Sequence, residues 1–285
     1  MKIIEPNIVE VTDFEGVNNF YKAVARAARI CYASDKTDND KELCERLIKL
    51  GHYSPFEHAI IYLDFNKAYY NHIYDIFTDY VLNFIRKNKY TIYFEKGNIV
   101  AVNGRIFIEG IKDFEKTNNL ECYNIEEIFE QLSDAVFEAH KFKSFIVDTS
   151  IGCTREINRH HDNFYICEQS TRYCNFSKDK FGNEIAFNKP YWYNKEANFF
   201  TRTLWEEEMK RTEVLYLKAV NSDDFNLPTD IARGFLPLDT HTRAIYTATI
   251  EEWNHFIDLR FKGTTGKSHG DIKVIAEKIY NIINK

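Results

Sequence analysis

The spacing of apolar positions changes along the chain and predicts where helices and strands lie. In residues 15 to 33, apolar side chains such as Phe20 and Val24 recur at helical spacing, which predicts a helix with one face toward a core. Residues 40 to 50 form a second predicted helix, which Gly51 is well placed to end. Two consecutive core-facing helices are therefore expected near the N-terminus.

Runs of β-branched and aromatic residues predict strands, and longer periodic segments predict further helices. The predicted strands are residues 1 to 12, "AIIYLDF", "SFIVDTSI" and "HTRAIYTATI". The further predicted helices are residues 196 to 220, 251 to 260 and 268 to 284, with a short one in "PTDIARGFLP" that Pro228 opens and Gly234 closes. Helices and strands together predict a mixed α/β fold.

The pattern is different between about residues 67 and 142. An aromatic-rich helical segment at 70 to 87 is followed by three short strand-like runs around the "KGN" and "NGR" turns and by an amphipathic helix at 124 to 140. We therefore expect a single domain over residues 1 to 285 with an inserted α/β subdomain at about 67 to 142.

Composition and charge narrow the class of protein. A chain of 285 residues with 44% hydrophobic content can fill one large core. Its net charge of −6 and pI near 5.9 argue against a protein that binds nucleic acid along the phosphate backbone, since such proteins need a spread basic surface. A small anionic ligand would instead require a local group of arginines.

The N-terminus and the cysteines suggest neither export nor a bound metal. "MKIIEPNIVEV" lacks a basic stretch followed by an apolar run, and no window is apolar for long enough to span a membrane. The six cysteines are scattered without a C-x-x-C pair, which argues against a zinc knuckle and a disulfide framework. We expect a cytoplasmic protein without a membrane segment, with reduced thiols and no metal.

Arginines stand out in segments that are otherwise apolar. They are Arg155, Arg159, Arg172, Arg233, Arg243 and Arg260. Arginine is well suited to a bidentate contact with phosphate or carboxylate, although any one of these residues alone could be a solvated or salt-bridged helix position. The stretch "CEQSTRYCN", residues 167 to 175, adds a carboxylate and the hydroxyls of Ser170, Thr171 and Tyr173 to one of them. It could be a nucleophile site or an anion-binding pocket.

The stretch "TREINRHHDNFYICEQSTRYCNFSKDKFGNE" resembles the signature of the flavin-dependent thymidylate synthases, in which Arg-His-Arg precedes a carboxylate or amide and Ser-x-Arg-Tyr. "ARAARICYAS", "GHYSPFEH", "ARGFLPLDTHTR", "EEWNHFIDLR" and "TTGKSHGD" resemble further segments of that family, in the family's order. A branch of the family carries an insertion at about the same place. The resemblance implies a central, mostly antiparallel sheet flanked by helices.

The resemblance implies dUMP as the substrate. The implied dUMP contacts are Glu156, Arg159, Glu168, Gln169, Ser170, Thr171, Arg172, Arg233 and Arg260. Arg159 and Arg172 would meet the phosphate. Arg260 would be the catalytic residue, because a cation against the uracil favours ionisation at N3. The resemblance therefore favours "EQSTRY" as an anion-binding pocket. A seryl nucleophile would need a positioned base, and the sequence designates none.

The resemblance also implies FAD as cofactor, with NADPH and methylenetetrahydrofolate as co-substrates. The implied FAD contacts are His52, Ser54, Glu57, Arg159, His160, His161, Glu168, Thr249, Glu251 and His255. A methylene would pass from methylenetetrahydrofolate to C5 of dUMP, reduced flavin would supply the hydride, and NADPH would reduce the flavin again. Family members are typically homotetramers with active sites at subunit interfaces, so we expect the same here.

The chain departs from the signature near the flavin. His161 stands at the third position of the triplet, where Arg is usual, so a permanent cation becomes a titratable one. The spacing from Arg159 to Glu168 is one residue longer than usual, and a second alignment would place "HHD" on the Arg-His-Arg triplet. Two alternatives therefore stay open. One is a divergent homologue with related chemistry, such as hydroxymethylation, and the other is a nucleotide- or flavin-binding protein without turnover.

Overall fold

A computed structural model of the chain describes residues 1–11, 17–34, 39–64, 74–88, 94–96, 99–119, 142–161, 164–195 and 199–285. The strands are β1 Lys2–Ile4, β2 Asn7–Val11, β3 Ile60–Asp64, β4 Phe94–Lys96, β5 Ile99–Asn103, β6 Phe142–Ser150, β7 Tyr165–Glu168, β8 Ala186–Asn188 and β9 His241–Thr249. The α-helices are α1 Val17–Tyr32, α2 Asp40–Lys49, α3 Tyr74–Lys87, α4 Gly104–Asn118, α5 Ile151–Ile157, α6 Phe199–Asn221, α7 Thr229–Ala232, α8 Ile250–Ile257 and α9 Gly270–Ile283.

The central sheet has the order β2-β6-β9-β7 and all its neighbouring strands are antiparallel. β6 and β9 pair over nine residues, so that successive side chains alternate between the two faces. On one face Phe145 packs edge-on against Trp253 of α8, with ring centroids 4.9 Å apart. On the other face Ile245 packs with Ala27 and Ile30 of α1. The predicted mixed α/β fold around a mostly antiparallel sheet is confirmed.

A second sheet, β3-β5-β4, forms a core with α1 to α4. Phe56, Phe77 and Phe107 are fully buried there, and each buried aromatic ring of this size contributes about 1.5–3 kcal/mol. The backbone of Gly104 comes close to α1, since a Cβ at this position would lie 2.5 Å from the Phe20 ring. The close contact fixes where α4 begins.

The structure corrects the prediction for the segment after the "NGR" turn. This segment was expected to be strand-like, but it is helix α4. The Asn103 side chain accepts a hydrogen bond from the Ile106 N–H at 3.0 Å and caps the helix, and the buried Phe107, Ile111 and Phe114 follow at helical spacing. The predicted helix at 124 to 140 lies outside the described residues. The insertion at about 67 to 142 stays a prediction.

Smaller differences concern the two ends of the chain. The N-terminal segment forms two strands, and Pro6 lies between them because proline cannot donate to a strand ladder. β1 pairs in parallel with the short β8, which the sequence pattern missed. The helix predicted at 251 to 260 ends at Ile257 and continues as a π-helical turn, Asp258–Lys262.

Candidate functional site

A cavity of about 620 Å³ opens where α5 begins, β7 ends and the chain leaves α7. It is lined by Ile151, Thr154, Arg155, Asn158, Glu168, Gln169, Ser170, Thr171, Arg233, Gly234, Leu236 and Leu238. The lining thus brings together five predicted dUMP contacts, which are the four residues Glu168 to Thr171 of "EQSTRY" and Arg233. The lining combines two guanidinium groups, one carboxylate and several hydroxyls with a small apolar area formed by Ile151, Leu236 and Leu238.

The carboxylate of Glu168 is held by a residue of α5 and by the residue that follows this helix. Thr154 Oγ1 donates to one of its oxygens at 2.8 Å, and Asn158 Nδ2 donates to the other at 3.3 Å. Asn158 is itself oriented by the Tyr246 hydroxyl, which donates to its Oδ1 at 2.9 Å. Burial raises the pKa of Tyr246 well above its usual value, so this hydroxyl keeps its proton. The network fixes the orientation of this carboxylate at the cavity lining.

Sequence reasoning missed Thr154 and Asn158. Residues 151, 154, 155 and 158 lie at i, i+3, i+4 and i+7 and therefore share one helix face, which is the face that lines the cavity. This spacing, together with Arg155 on the same face, was the signal that could have found them. Ser150 caps the helix by accepting from the Cys153 N–H at 3.2 Å, so the face starts at a defined position.

The loop after Glu168 is fixed by its backbone. Gln169 N donates to Arg243 O at 2.8 Å, and Ser170 N donates to Cys31 O at 2.9 Å. The Ser170 hydroxyl accepts from Arg172 N at 3.3 Å, which is a turn contact. The Arg172 side chain is exposed beside the Tyr173 ring and does not belong to the cavity lining.

The cysteines at the two ends of this stretch are poor nucleophiles. A hydrogen bond with Cys31, together with burial, raises the pKa of the Cys167 thiol well above its usual value. Burial also raises the pKa of Cys174. Because the thiolate is the reactive form, both groups are mostly protonated and unreactive at neutral pH. The anion-binding interpretation of the stretch therefore agrees with its surroundings.

Glu156 and Arg260, both predicted dUMP contacts, meet on the adjacent surface. Arg260 lies on the π-helical turn, and its Nη1 is 3.6 Å from the Glu156 carboxylate. Its Nη2 donates to Glu156 O at 3.4 Å. Its Nε is buried and has no hydrogen-bond partner among the described residues. π-helical turns are frequent at functional sites, because they change the direction of a side chain within a helix.

Two predicted FAD contacts, His160 and His255, pack together beside Arg260, with ring centroids 6.1 Å apart. Burial, together with the charge of Arg260 and the neighbouring His255, lowers the pKa of His160 to about 4. His160 is thus neutral at physiological pH, and its Nε2 is buried without a partner among the described residues. Arg159 and His161, which flank it, are exposed. The altered triplet therefore presents two exposed polar side chains on either side of a partly buried, neutral one.

The remaining predicted FAD contacts occupy other positions. Ser54 and Glu57 lie on a 3₁₀ helix, Ser54–His58, and His52 precedes it. Burial raises the pKa of Glu57, opposed by Arg105 of α4, whose Nη1 donates to the carboxylate at 2.7 Å. Glu57 is thus tied to α4, whereas Ser54 shares a hydrogen bond with the Cys167 thiol of β7, next to Glu168.

Thr249 and Glu251 begin α8. Thr249 is buried, and its Oγ1 accepts from Glu252 N at 3.2 Å, so the hydroxyl serves as a helix cap. Glu251 is exposed in the first turn.

Comparison with known proteins identifies the family. The family model described as thymidylate synthase complementing protein matches residues 14–68 and 93–285. The chain belongs to this family. The predicted relation to the flavin-dependent thymidylate synthases is therefore confirmed, and with it the prediction of a methyltransferase that uses a flavin.

Relatives of this chain were found by sequence and by structure. A probable flavin-dependent thymidylate synthase from Paramecium bursaria Chlorella virus 1 is 26% identical over 155 residues, which are 51% of this chain and 68% of the viral protein. The UMP/dUMP methylase PolB from Streptomyces cacaoi, solved with 5-Br UMP, is 15% identical over 99% of this chain and 91% of its own, at a TM-score of 0.46. The same enzyme solved with 5-Br dUMP gives a TM-score of 0.45. These TM-scores are too low to support a conclusion about this chain.

Within the part of the chain that the structure describes, no helix has the length and apolarity needed to cross a membrane. A cytoplasmic location stays a prediction.

Proposed function

We propose that this protein converts dUMP to dTMP, with methylenetetrahydrofolate as the carbon donor and FAD, reduced by NADPH, as the hydride source. The observation that supports this most is the cavity in which the Glu168 carboxylate, held by Thr154 and Asn158, shares a wall with Arg155 and Arg233. Such a cavity offers cations for a phosphate and a fixed acceptor for a sugar or base.

The phosphate of dUMP is bound by Arg233 and by the Ser170 and Thr171 segment. Arg155, on the same cavity wall, adds a second guanidinium that the sequence motifs do not designate. Two fork-shaped donors suit the several oxygens of one phosphate. The exposed Arg172 reaches a phosphate that lies at the rim or in a neighbouring copy of the chain.

Arg260 stabilises the charge that develops on the uracil. Glu156 holds its guanidinium from one side, and the buried Nε is available as a further donor. A cation that is already in place costs no reorganisation during the reaction, so it lowers the barrier more than a mobile one.

The residues present fit a flavin. His160 offers a neutral ring with the His255 ring packed beside it, and the buried His160 Nε2 is a polar atom that a ligand can satisfy. Arg159 and His161 would hold the phosphates of FAD beside them, and bound flavin would supply the hydride. Ser54 and Glu57 lie beside Cys167, next to Glu168, and they would add contacts to the cofactor together with His52.

The protein is also proposed to form a homotetramer with sites between subunits. Helix α6 offers a surface for association, because Phe200 is 82% exposed and Leu204 66% exposed on one side of it. Exposed apolar side chains one helical turn apart are typical of subunit interfaces. Sedimentation velocity tests this: we expect a tetramer, and a stable monomer with full activity would contradict it.

The absorption spectrum of the purified protein tests the cofactor and the substrate together. We expect that FAD remains bound after excess cofactor is removed, and that dUMP changes the flavin band when it is added. A folded protein that retains no flavin would favour a nucleotide-binding homologue without turnover.

A further inference from the structure

Two cysteine side chains meet where the end of α1 packs beside β7. Cys31 lies in the last turn of α1, and Cys167 lies on β7 directly before Glu168. Both side chains pack in one small cluster with Ala27 and Ile245, and their thiols share a hydrogen bond. The fold thus brings together two thiols that are far apart in the sequence.

The two thiols differ in exposure and therefore in how well they carry a charge. Cys31 is partly exposed, whereas Cys167 is buried. The hydrogen bond from the Cys167 thiol stabilises a Cys31 thiolate and lowers the pKa of Cys31, although burial opposes this shift. Because a charge costs less on the more exposed sulfur, Cys31 is the nucleophilic member of the pair and Cys167 is its proton donor.

The other cysteines in the part of the chain that the structure describes have different surroundings. Burial raises the pKa of Cys44 and of Cys153 to about 12, and burial also raises the pKa of Cys174. Cysteines that respond to oxidants are typically accessible, low in pKa and next to a second thiol. Among the described cysteines, Cys31 alone combines these three properties.

The pair is joined to the loop that lines the cavity of the candidate site. Glu168 follows Cys167 directly, and Ser170 N donates to Cys31 O at 2.9 Å. Glu168 and Ser170 both line the cavity. A covalent bond between α1 and β7 at this place would displace the end of β7 from α5, where Thr154 holds the Glu168 carboxylate.

We propose that Cys31 and Cys167 are a modification site, at which a peroxide forms a reversible disulfide that weakens nucleotide binding in the neighbouring cavity. Formation of the disulfide is independent of the proposed function. The identity of the nucleotide as dUMP rests on that function.

The reaction takes two electrons from the pair. The Cys31 thiolate attacks one peroxide oxygen, so that an S–O bond forms and the O–O bond breaks, and the second oxygen leaves and takes up the proton that the Cys31 thiol had released. Cys167 then attacks the sulfur of the Cys31 sulfenic acid. An S–S bond forms, the S–O bond breaks, and the departing hydroxide takes the Cys167 proton and leaves as water.

Cys167 reacts in the second step although its thiol is protonated in the reduced protein. The two sulfurs are already held together, and such proximity gives an intramolecular reaction a high effective concentration. A dithiol reductant restores both thiols by exchange and is itself oxidised to a disulfide.

Peptide mapping of the full-length protein, before and after brief exposure to hydrogen peroxide, tests the site without turnover. We expect a disulfide between Cys31 and Cys167 that dithiothreitol removes. In the Cys167→Ser protein, Cys31 should stop at the sulfenic acid, which dimedone traps. Cys44→Ser is the matched control, because its hydroxyl can still donate to Tyr21 O as the Cys44 thiol does at 3.6 Å. This control should form the disulfide at the wild-type rate.

The affinity for dUMP tests the link between the disulfide and the cavity. The Kd of dUMP should rise about five-fold in the oxidised protein, which is the effect of losing about one hydrogen bond, and it should return after reduction. The Kd of the Cys31→Ser protein should not respond to peroxide.

A pair that remains as two thiols, or a Cys31 that is oxidised no faster than Cys44, would overturn the proposal. An unchanged Kd in protein that has formed the disulfide would overturn its effect on binding. A protein that forms the disulfide and binds dUMP, but makes no dTMP when reduced, would refute the proposed function and leave the modification site standing.

Discussion

Single residues near Glu168 and Arg260 decide the chemistry proposed for this family member, and they do so through neighbours that no motif names. Thr154 and Asn158 fix the carboxylate, and Glu156 fixes the guanidinium. The sequence predicted Glu168 and Arg260 by resemblance, but it could not show which groups hold them, because those contacts depend on how α5 packs against β7. A motif shows which residue types form a site. The residues that hold them in place can be identified only from the folded structure.

Arg260→Ala should lower kcat by about 100-fold or more, because it removes a positioned cation beside the developing charge. The affinity for FAD should change by less than about three-fold. Lys262→Ala is the matched control, since Lys262 lies on the same π-helical turn, is exposed and pairs with Asp258 at 2.7 Å. Steady-state rates and flavin titrations of both proteins measure the difference. Equal losses in the two variants would place Arg260 outside the site.

Thr154→Val should raise the KM of dUMP about tenfold, because one hydrogen bond to the Glu168 carboxylate is lost and the side chain keeps its shape. Thr203→Val, which removes an intrahelical hydroxyl on α6, should leave the KM unchanged. If Thr154→Val binds dUMP normally, the Glu168 carboxylate does not contact the nucleotide.

At the scale of elements, segments with a regular apolar period were predictable, whereas a helix that begins in a turn-like sequence and a turn that departs from the α-helical period were not. β9 and α6 follow from their apolar pattern. α4 was missed because "NGR" has the composition of a hairpin turn, although Asn103 caps a helix there. The spacing of apolar residues gives no sign of the π-helical turn at Arg260. The ion pair between Glu57 and Arg105 joins the 3₁₀ helix to α4, and a contact 48 residues apart in sequence cannot be read from spacing.

Gly104→Ala should destabilise the protein by about 1–3 kcal/mol, because the new methyl group would overlap the Phe20 ring where α4 begins. Gly234→Ala is the control, since a Cβ there meets no atom within 4 Å. Urea unfolding monitored by circular dichroism measures both. A Gly104→Ala protein as stable as the Gly234→Ala protein would contradict the close packing of α4 on α1.

At the scale of the whole molecule, acid should destabilise the fold through its buried histidines. His58 is fully buried and its Nδ1 bonds Thr247 Oγ1 at 2.9 Å. Burial lowers its pKa from 6.5 to about 3. Between these values the unfolded chain binds a proton that the folded chain does not. The contribution of His58 to the free energy of unfolding is therefore fully present above pH 6.5. Below that pH the free energy of unfolding falls by about 1.4 kcal/mol per pH unit.

The slope of unfolding free energy against pH measures this effect. His58→Gln keeps a polar group near Thr247 but cannot titrate, so its slope between pH 6.5 and pH 4 should be shallower, whatever its stability at neutral pH. An identical slope in the two proteins would show that His58 does not carry the effect.

The most direct test of dUMP methylation is the mass of the nucleotide formed when the purified protein is incubated with dUMP, methylenetetrahydrofolate, FAD and NADPH. The arrangement of Glu168, Arg233 and Arg260 leads us to expect dTMP, formed only when dUMP, methylenetetrahydrofolate and NADPH are added to protein that carries FAD. A hydroxymethylated nucleotide would show related but different chemistry at this site. Unchanged dUMP, from a folded protein that binds both flavin and nucleotide, would contradict a thymidylate synthase.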